Sequence, residues 1–527
     1  MKKHGRMMRM VLIFCFLISL AACTAAGSDT TAKSGAGADA ADRTGDVLVY
    51  GSGDYTRINP AMDEHGEINI LLFDGLTAHN GENEIVPGLA REWTWDETAC
   101  TYTFYLEEGV RWHDGQEFTA KDVKFTIEAI MDPENGSENA PDFEDVEEIT
   151  VVDTYTISFK LASANIAFLE YMTMPILPQH LLAGEDMREA DFFRAPVGTG
   201  PYRLEAWDEG QAITLVKNEG YFKGAPHIGT IVFKIAADDT ARAMQMQAGE
   251  LDLALLTPQD CERFEGQEGY EVYHMQTSDY RGIMFNFRHA YWEENRDLIP
   301  AICRALDRQA IVDTVLLGHG IPAYGPLQRN RYNCDQVERY EYDVERARQV
   351  LEEAGCVKGE DGFYERNGET VGFVLSVGAG DQVRLSIAQA AAQMLGEAGI
   401  RCTVEIPERV DWGGQMAYLI GWGSPFDADD HTYKVFATDK GANYSAYSNA
   451  DVDRYLVEAR RTAEPKQREE AYAGFQKALS EDPAFAFICY IDADYVANAS
   501  IRGIDADTVM GHHGVGIFWN VTEWTME

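Results

Sequence analysis

The sequence is poor in basic residues, in cysteine and in long apolar runs. It holds 44 Lys and Arg residues against 87 Asp and Glu residues among 527, a formal net charge of −43. Phosphate backbones and anionic membrane surfaces repel such a chain, so we expect no nucleic-acid partner. A hydrophobic fraction of 45% and an aromatic fraction of 11% exclude a disordered or collagen-like chain and predict a large globular protein of about three domains.

The nine cysteines have no Cys-x-x-Cys spacing. Beyond Cys15 and Cys23 an odd number remains: Cys100, Cys261, Cys303, Cys334, Cys356, Cys402 and Cys489. This set neither dictates a disulfide framework nor indicates a zinc site. We therefore expect no metal and no cofactor, and the sequence leaves any disulfide pairing open.

One apolar run, Val11–Leu20, follows a segment with basic residues and no acid. It is shorter than the ~20 residues that a membrane-spanning helix needs, which predicts a signal peptide over residues 1–22. Leu20–Cys23 resembles a bacterial lipobox and predicts lipid attachment at Cys23, with a plain cleavage site as the alternative. The composition of residues 23–45 predicts a flexible tether. The lipid would therefore anchor an extracytoplasmic protein to the outer face of the cell membrane, or the protein would be periplasmic.

Local periodicity predicts both strands and helices. Polar and apolar residues alternate in Thr154–Leu161 and Thr101–Leu106, as in half-buried strands. Helices are predicted over 343–355, between Asp343 and Gly355, and over about 384–398, followed by a strand over 400–406. A helix followed by a strand indicates an α/β fold.

Signatures of enzymes are absent from the sequence. There is no Gly-x-Ser-x-Gly, no His-Glu-x-x-His and no phosphate-binding loop, and Gly511–Gly516 is interpreted as a turn. We expect no catalysis; the remote alternative is a peptide hydrolase that uses an acid such as Asp427 with His431, because triads are recognised by geometry. Three histidines are expected to be exposed or hydrogen-bonded at the surface: His65, His79 and His113.

An ordered series of motifs points to a family. Its first block is Pro87–Trp93, Thr101–Phe104, Gly109–Gly115 and Phe118–Val123, and it continues in Pro196–Tyr202, Asn218–Phe222, Gln247–Asp252 and Ala305–Ile311. Together these segments resemble the peptide/nickel class of extracytoplasmic solute-binding proteins, the capture subunits of ABC importers. The resemblance covers about residues 46–527. Glycines in it, such as Gly115 and Gly198, are interpreted as structural turn residues.

The resemblance implies an α/β, two-lobed periplasmic-binding-protein-like fold with a hinge and an extra domain inserted in the N-terminal lobe. Its expected parts are lobe 1 (46–74, 186–285 and 486–527), the extra domain (75–185) and lobe 2 (286–485). It also implies a monomer that captures a peptide in the cleft between the lobes and delivers it to the permease and ATPase subunits of an importer.

The expected ligand-binding residues lie in two stretches and near the first strand. They are Tyr55, Tyr280, Arg281, Gly282 and Trp422. In many peptide-binding members an aspartate a few residues after the tryptophan pairs with the peptide ammonium, but an ungapped alignment puts Pro425 there. Asp427 is the expected substitute, with Asp429 or Asp430 less favoured. The alternative is that these acids cap a helix running into Thr432–Phe436.

A nickel chelate is the alternative ligand. Trp422–Asp427 is also similar to the corresponding segment of nickel-binding members, which capture nickel with organic chelators such as histidine. Met174–Pro178 lacks the arginine that such members can carry for an anionic chelator. The sequence therefore favours a peptide over a nickel chelate.

Overall fold

The computed structural model describes residues 46–62, 66–511 and 516–527. Cys23, the signal peptide over 1–22, the tether over 23–45, and His65, His512 and His513 lie outside the described residues. Within the described ranges, no helix combines the length and the apolar character that crossing a membrane requires.

One eleven-stranded sheet runs through the whole of the α/β body. Ten of its strands follow one path, in the order Arg401–Glu405, Gly372–Ser376, Ala417–Trp422, Tyr270–Phe285, Phe485–Asn498, Leu253–Leu256, Val47–Ser52, Thr230–Ile235, Ala212–Lys217 and Tyr202–Asp208. Gly320–Pro322 pairs with Phe485–Asn498 off this path. The last five strands of the path fall within the ranges predicted for lobe 1, and the first three fall within the range predicted for lobe 2.

The two lobes are joined by two long antiparallel strands, Tyr270–Phe285 and Phe485–Asn498, which we call the crossing strands. Their register shifts between Gln276 and Tyr280. The ladder is locally disrupted at such a shift.

The inserted extra domain carries its own four-stranded antiparallel sheet. The strand order is Ala90–Asp96, Thr101–Leu106, Thr156–Leu161 and Val146–Asp153. Helix Ala120–Met131 packs against it and begins at a capping box, in which Asp122 accepts from the backbone N–H of Thr119 at 2.8 Å. The motif Phe118–Val123 therefore forms the start of this helix, which is a structural role. The exact domain boundaries remain a prediction.

The helices predicted from periodicity are confirmed. Val344–Glu353 begins after Asp343, whose side chain accepts from the backbone N–H of Arg346. Gln382–Ala398 ends at Gly399, which has a φ of 89°. The other α-helices are Asn69–Leu72, Phe168–Tyr171, Gln179–Leu182, Asp239–Gln247, Pro258–Cys261, Ala290–Asn295, Ile299–Arg304, Arg308–Thr314, Tyr433–Phe436, Ala450–Arg461 and Pro465–Glu481.

The remaining elements of the described residues are short. The 3-10 helices are Ala140–Phe143, Asp191–Arg194, Arg296–Leu298 and Ile517–Glu523. The remaining strands are Thr77–His79, Ile85–Pro87, Val357–Lys358, Tyr364–Arg366, Glu369–Thr370, Ile501–Arg502 and Thr525–Met526.

The turn glycines behave as predicted, and the structure adds the state of the cysteines. Gly115 has a φ of 88°, as predicted for a tight turn. A Cβ on Gly198 would lie 1.7 Å from the carbonyl oxygen of Leu72, so only glycine fits there. The seven cysteines of the described residues are all free thiols, so this part of the chain carries no disulfide.

Candidate functional site

A cavity of about 560 Å³ lies between lobe 1, the extra domain and lobe 2. Its lining comes from Pro60 and from residues within 66–86, 139–175, 201–223, 423–431, 508–511 and 516–522. The larger apolar side chains that line it are Ile70, Phe73, Met174, Phe426, Met510, Phe518 and Trp519. A site shared by hinged lobes is enclosed when the lobes close on a ligand.

Carboxylates outnumber basic groups in the cavity. The lining contains Asp74, Asp142, Glu170 and Asp430, whereas Lys223 is the only lysine or arginine among the described lining residues. Burial raises the pKa of Asp74, and this outweighs the opposing effects of Lys223, Tyr221 and Thr199. A cavity of this character favours a ligand with a cationic group.

Glu170 faces the cavity from the extra domain. It lies on the short helix Phe168–Tyr171, and its carboxylate is 2.6 Å from Nε2 of His79. Burial raises the pKa of Glu170, the contact with His79 opposes the rise, and the carboxylates of Asp430 and Asp427 add to it. A positive group placed here would relieve this mutual repulsion.

His79 links the extra domain to lobe 2. Its ring stacks on Phe426, with the ring centroids 3.6 Å apart and the planes nearly parallel. His79 was expected at the surface, and the structure places it in the cavity lining instead.

Asp430 faces the same space from lobe 2. One carboxylate oxygen is 3.3 Å from Nζ of Lys434, which is also 3.9 Å from Asp142. His431 lines the cavity beside it, and its Nδ1 accepts from the backbone N–H of Gly423. Of the three aspartates considered from sequence, Asp430 is the one that lines the cavity.

Asp427 and Asp429 are each paired with an arginine of lobe 2. Asp427 makes a bidentate pair with Arg468, with N···O distances of 2.6 and 2.7 Å, and accepts from the backbone N–H of Asp429. Asp429 pairs with Arg460 at 2.6 Å and accepts from the hydroxyl of Tyr171. This placement does not support the expected ligand role of Asp427, because an internal guanidinium already occupies its oxygens. The helix that these acids were thought to cap is the single turn Tyr433–Phe436.

The other expected residues are not among the described residues that line the cavity. Trp422 is buried at the end of its strand, edge-on to His431. Tyr280 and Gly282 lie in a crossing strand, opposite Trp422 and Ile420 respectively. Arg281 is buried and paired with Asp279. Tyr55 packs against lobe 1, and burial raises its pKa above the usual range.

A polar network bridges the extra domain and lobe 2 beside the cavity. Glu144 accepts from the hydroxyl of Tyr433 and from Nζ of Lys440, both at 2.6 Å, and lies 3.3 Å from Arg460. The backbone N–H of Ile166 also donates to the carbonyl of Arg460 at 3.0 Å. These contacts join the extra domain to lobe 2.

Sequence reasoning missed Glu170, His79 and the network at Glu144. Glu170 and Asp430 are 260 positions apart in the sequence and sit on single-turn or irregular segments. No local spacing could have paired them.

Comparisons with known proteins agree with this architecture. The family described as "Bacterial extracellular solute-binding proteins, family 5 Middle" matches residues 84–444, more than half of the chain. Protein XP55 of Streptomyces lividans is 32% identical over 484 residues, which cover 90% of this chain and 88% of that protein.

Two solved structures share the fold over nearly the whole chain. NikZ from Campylobacter jejuni, in complex with Ni(L-His), is 31% identical, covers 92% of this chain and 100% of its own, and has a TM-score of 0.86. The oligopeptide-binding protein AppA from Bacillus subtilis, in complex with a nonapeptide, is 26% identical, covers 91% and 99%, and has a TM-score of 0.82. The chain therefore belongs to the bacterial extracellular solute-binding proteins of family 5.

Proposed function

We propose that this protein is the solute-binding subunit of an ABC importer and that it captures short peptides. The observation that carries the proposal is the cavity between the lobes, in which carboxylates from the extra domain and from lobe 2 face one space. A free peptide always offers an ammonium group at one end. The oligopeptide-binding relative AppA supports the same solute class.

The dimensions of the cavity favour a small solute. A volume of about 560 Å³ lies inside the range of ~300–1,000 Å³ that is usual for small-ligand pockets. Four asparagines line it, Asn69, Asn80, Asn83 and Asn139, and amide side chains can both donate to and accept from a peptide backbone. A peptide of a few residues suits this volume.

Asp430 and Glu170 are the proposed partners of the peptide ammonium. They reach the cavity from opposite sides of the cleft, so an ammonium between them would both bind and hold the lobes together. Charge-assisted hydrogen bonds in a space shielded from water are stronger than neutral ones. Asp430 thus takes the ligand-pairing role first expected of Asp427.

The experiment compares one peptide with its N-acetylated form by calorimetric titration. Acetylation removes the charge, so affinity should fall by about 2–5 kcal/mol in the native protein. In Asp430→Asn the difference between the two peptides should shrink, whereas in Glu147→Gln, an exposed acid of the extra domain, it should persist. Equal binding of both peptides to the native protein would refute the ammonium site.

The lipid anchor is part of the proposal. Cys23 in its lipobox-like context would carry the lipid, which would keep a monomeric protein at the outer face of the membrane near the permease and ATPase subunits. Cys23→Ala should abolish labelling by a lipid precursor and release the protein. Continued labelling of Cys23→Ala would show that the lipid is not attached at Cys23.

Nickel-chelate capture is the second candidate function. The specific observations in its favour are the similarity to NikZ in complex with Ni(L-His) and the two histidines, His79 and His431, in the cavity lining. Against it, no arginine lines the cavity within the described residues, so an anionic chelator would meet mainly carboxylates. Met174 and Pro175, from the segment that lacks arginine, are among the lining residues.

A further inference from the structure

A cluster of metal-ligating side chains lies on the lobe 1 side of the crossing strands. Cys261 ends the short helix Pro258–Cys261, while His274 and Asp494 are directly paired across the crossing strands. One potential ligand atom from each of the three lies within 4.8 Å of the others. None of the three lines the cavity described above.

The groups around the cluster orient it as the surroundings of a metal site do. Nδ1 of His274 is 2.6 Å from one oxygen of Asp494, and its Nε2 is 2.9 Å from Glu265. Nδ1 of His319 lies 2.8 Å from the other oxygen of Asp494. Metal-bound histidines typically direct their second ring nitrogen to a carboxylate, which is the role that Glu265 fills here.

We propose that Cys261, His274 and Asp494 bind one zinc ion, with a water molecule as the fourth ligand. A sulfur, an imidazole nitrogen and a carboxylate oxygen are the donor types that zinc takes, usually in tetrahedral geometry. Metal–ligand distances of ~2.0–2.2 Å would separate Nδ1 and the carboxylate oxygen by roughly 3.3 Å. The present 2.6 Å contact needs to open by less than an ångström.

Zinc would replace protons that the cluster now holds. Zinc binds cysteine as the thiolate and histidine through an unprotonated ring nitrogen. His274 has both ring nitrogens directed at carboxylates. Binding would form Zn–S, Zn–N and Zn–O bonds and release the thiol proton of Cys261 and any proton on the ligating ring nitrogen of His274. The ion can enter from solvent because the His274 side chain is 38% exposed.

The site would act on the hinge rather than on the solute. The zinc ion would tie helix Pro258–Cys261 to both crossing strands. His319 precedes Gly320–Pro322, the lobe 2 strand that pairs with Phe485–Asn498, so it couples the cluster to the other lobe. The inference is independent of the proposed solute.

The test is cobalt titration of the purified, metal-free full chain, followed by competition with zinc. The native protein should bind one equivalent of cobalt with a thiolate-to-cobalt charge-transfer band and the d–d bands of tetrahedral cobalt. Zinc should displace the cobalt and raise the melting temperature. Absence of the charge-transfer band in the native protein would overturn the proposal.

Variants identify the ligands. Cys261→Ser should lose the charge-transfer band. His274→Gln should no longer bind the one equivalent of cobalt that the native protein binds. Glu265→Gln changes only an exposed residue, which protects the test against misfolding, and should weaken zinc binding by about 10–100-fold. The matched controls, Cys100→Ser in the extra domain and the exposed His227→Gln, should bind as the native protein does. A Cys261→Ser protein that keeps the band, or a Glu265→Gln protein of native affinity, would contradict the assignment.

Discussion

At the residue scale, acidic side chains that are neighbours in sequence differ in whether they line the cavity. Asp427, Asp429 and Asp430 are neighbours in sequence, yet two are paired with arginines and only Asp430 lines the cavity. The sequence identified the segment but not the role of each residue, because Arg468 is 41 positions from its partner Asp427. Partners that far apart leave no local pattern.

The ion pair between Asp427 and Arg468 is predicted to stabilise the folded protein. Arg468 is 4% exposed, so Asp427→Ala would leave a buried guanidinium without its carboxylate and should lower the free energy of unfolding by about 3–5 kcal/mol. Denaturant unfolding of the ligand-free protein measures this change.

The control replaces both partners. Asp427→Ala combined with Arg468→Met removes the buried charge itself, and much of the lost stability should return. If the single variant unfolds at the native denaturant concentration, the pair is not an important stabilising contact.

At the element scale, the agreement between sequence and structure follows the range of the interactions. The helices Val344–Glu353 and Gln382–Ala398 were predicted to within about two residues at either end, because caps and apolar stripes are local. The pairing of Tyr270–Phe285 with Phe485–Asn498 could not be derived from local pattern, since those strands are about 200 residues apart. Only the family resemblance indicated a hinge there.

The side chain of His113 joins its own loop to the loop that contains Gly198 and Gly200. Its burial predicts that the stability of the protein depends on pH. Its Nε2 is 3.0 Å from the carbonyl of Gly200, and its Nδ1 accepts from the backbone N–H of Gly198. Burial lowers the pKa of His113 to about 4; the Gly200 bond and Asp114 oppose this, and Arg203 adds to it.

Since the unfolded chain takes up this proton near pH 6.5 and the folded protein only near pH 4, the unfolded state binds more protons between these values. Stability should therefore fall as the pH is lowered through this window. Melting curves of the native protein and of His113→Asn should converge as the pH drops from 7 to 5, and the exposed control His227→Asn should follow the native curve. Parallel curves for native and His113→Asn protein would show that His113 does not titrate in this way.

At the scale of the whole molecule, contacts outside the cavity also join the extra domain to lobe 2. Glu144 reaches from the extra domain to Tyr433, Lys440 and Arg460 of lobe 2, and it is outside the described cavity lining. Burial acts to raise its pKa, but the bonds from Lys440 and Tyr433 and the charge of Arg460 outweigh it, so the pKa is lowered.

Glu144→Gln should weaken solute binding about tenfold if closure on the solute needs the ion pairs that join the extra domain to lobe 2. Titration of the variant with the same solute measures the change, and Glu147→Gln, whose partner Lys160 lies in the same sheet, provides the matched control. Native affinity in Glu144→Gln would mean that this network does not contribute to closure.

The identity of the captured solute is the central claim, and thermal stabilisation of the metal-free full chain tests it most directly. A solute that binds only the folded protein raises the free energy of unfolding by about 2.7 kcal/mol at a hundredfold excess over Kd. Mixed short peptides form one arm and nickel with histidine the other, and each arm is repeated in Cys261→Ser so that metal bound at the crossing strands is not counted. The account predicts a rise in melting temperature with peptides, which are recovered intact afterwards; a rise only with nickel and histidine, or cleavage of the peptides, would contradict it.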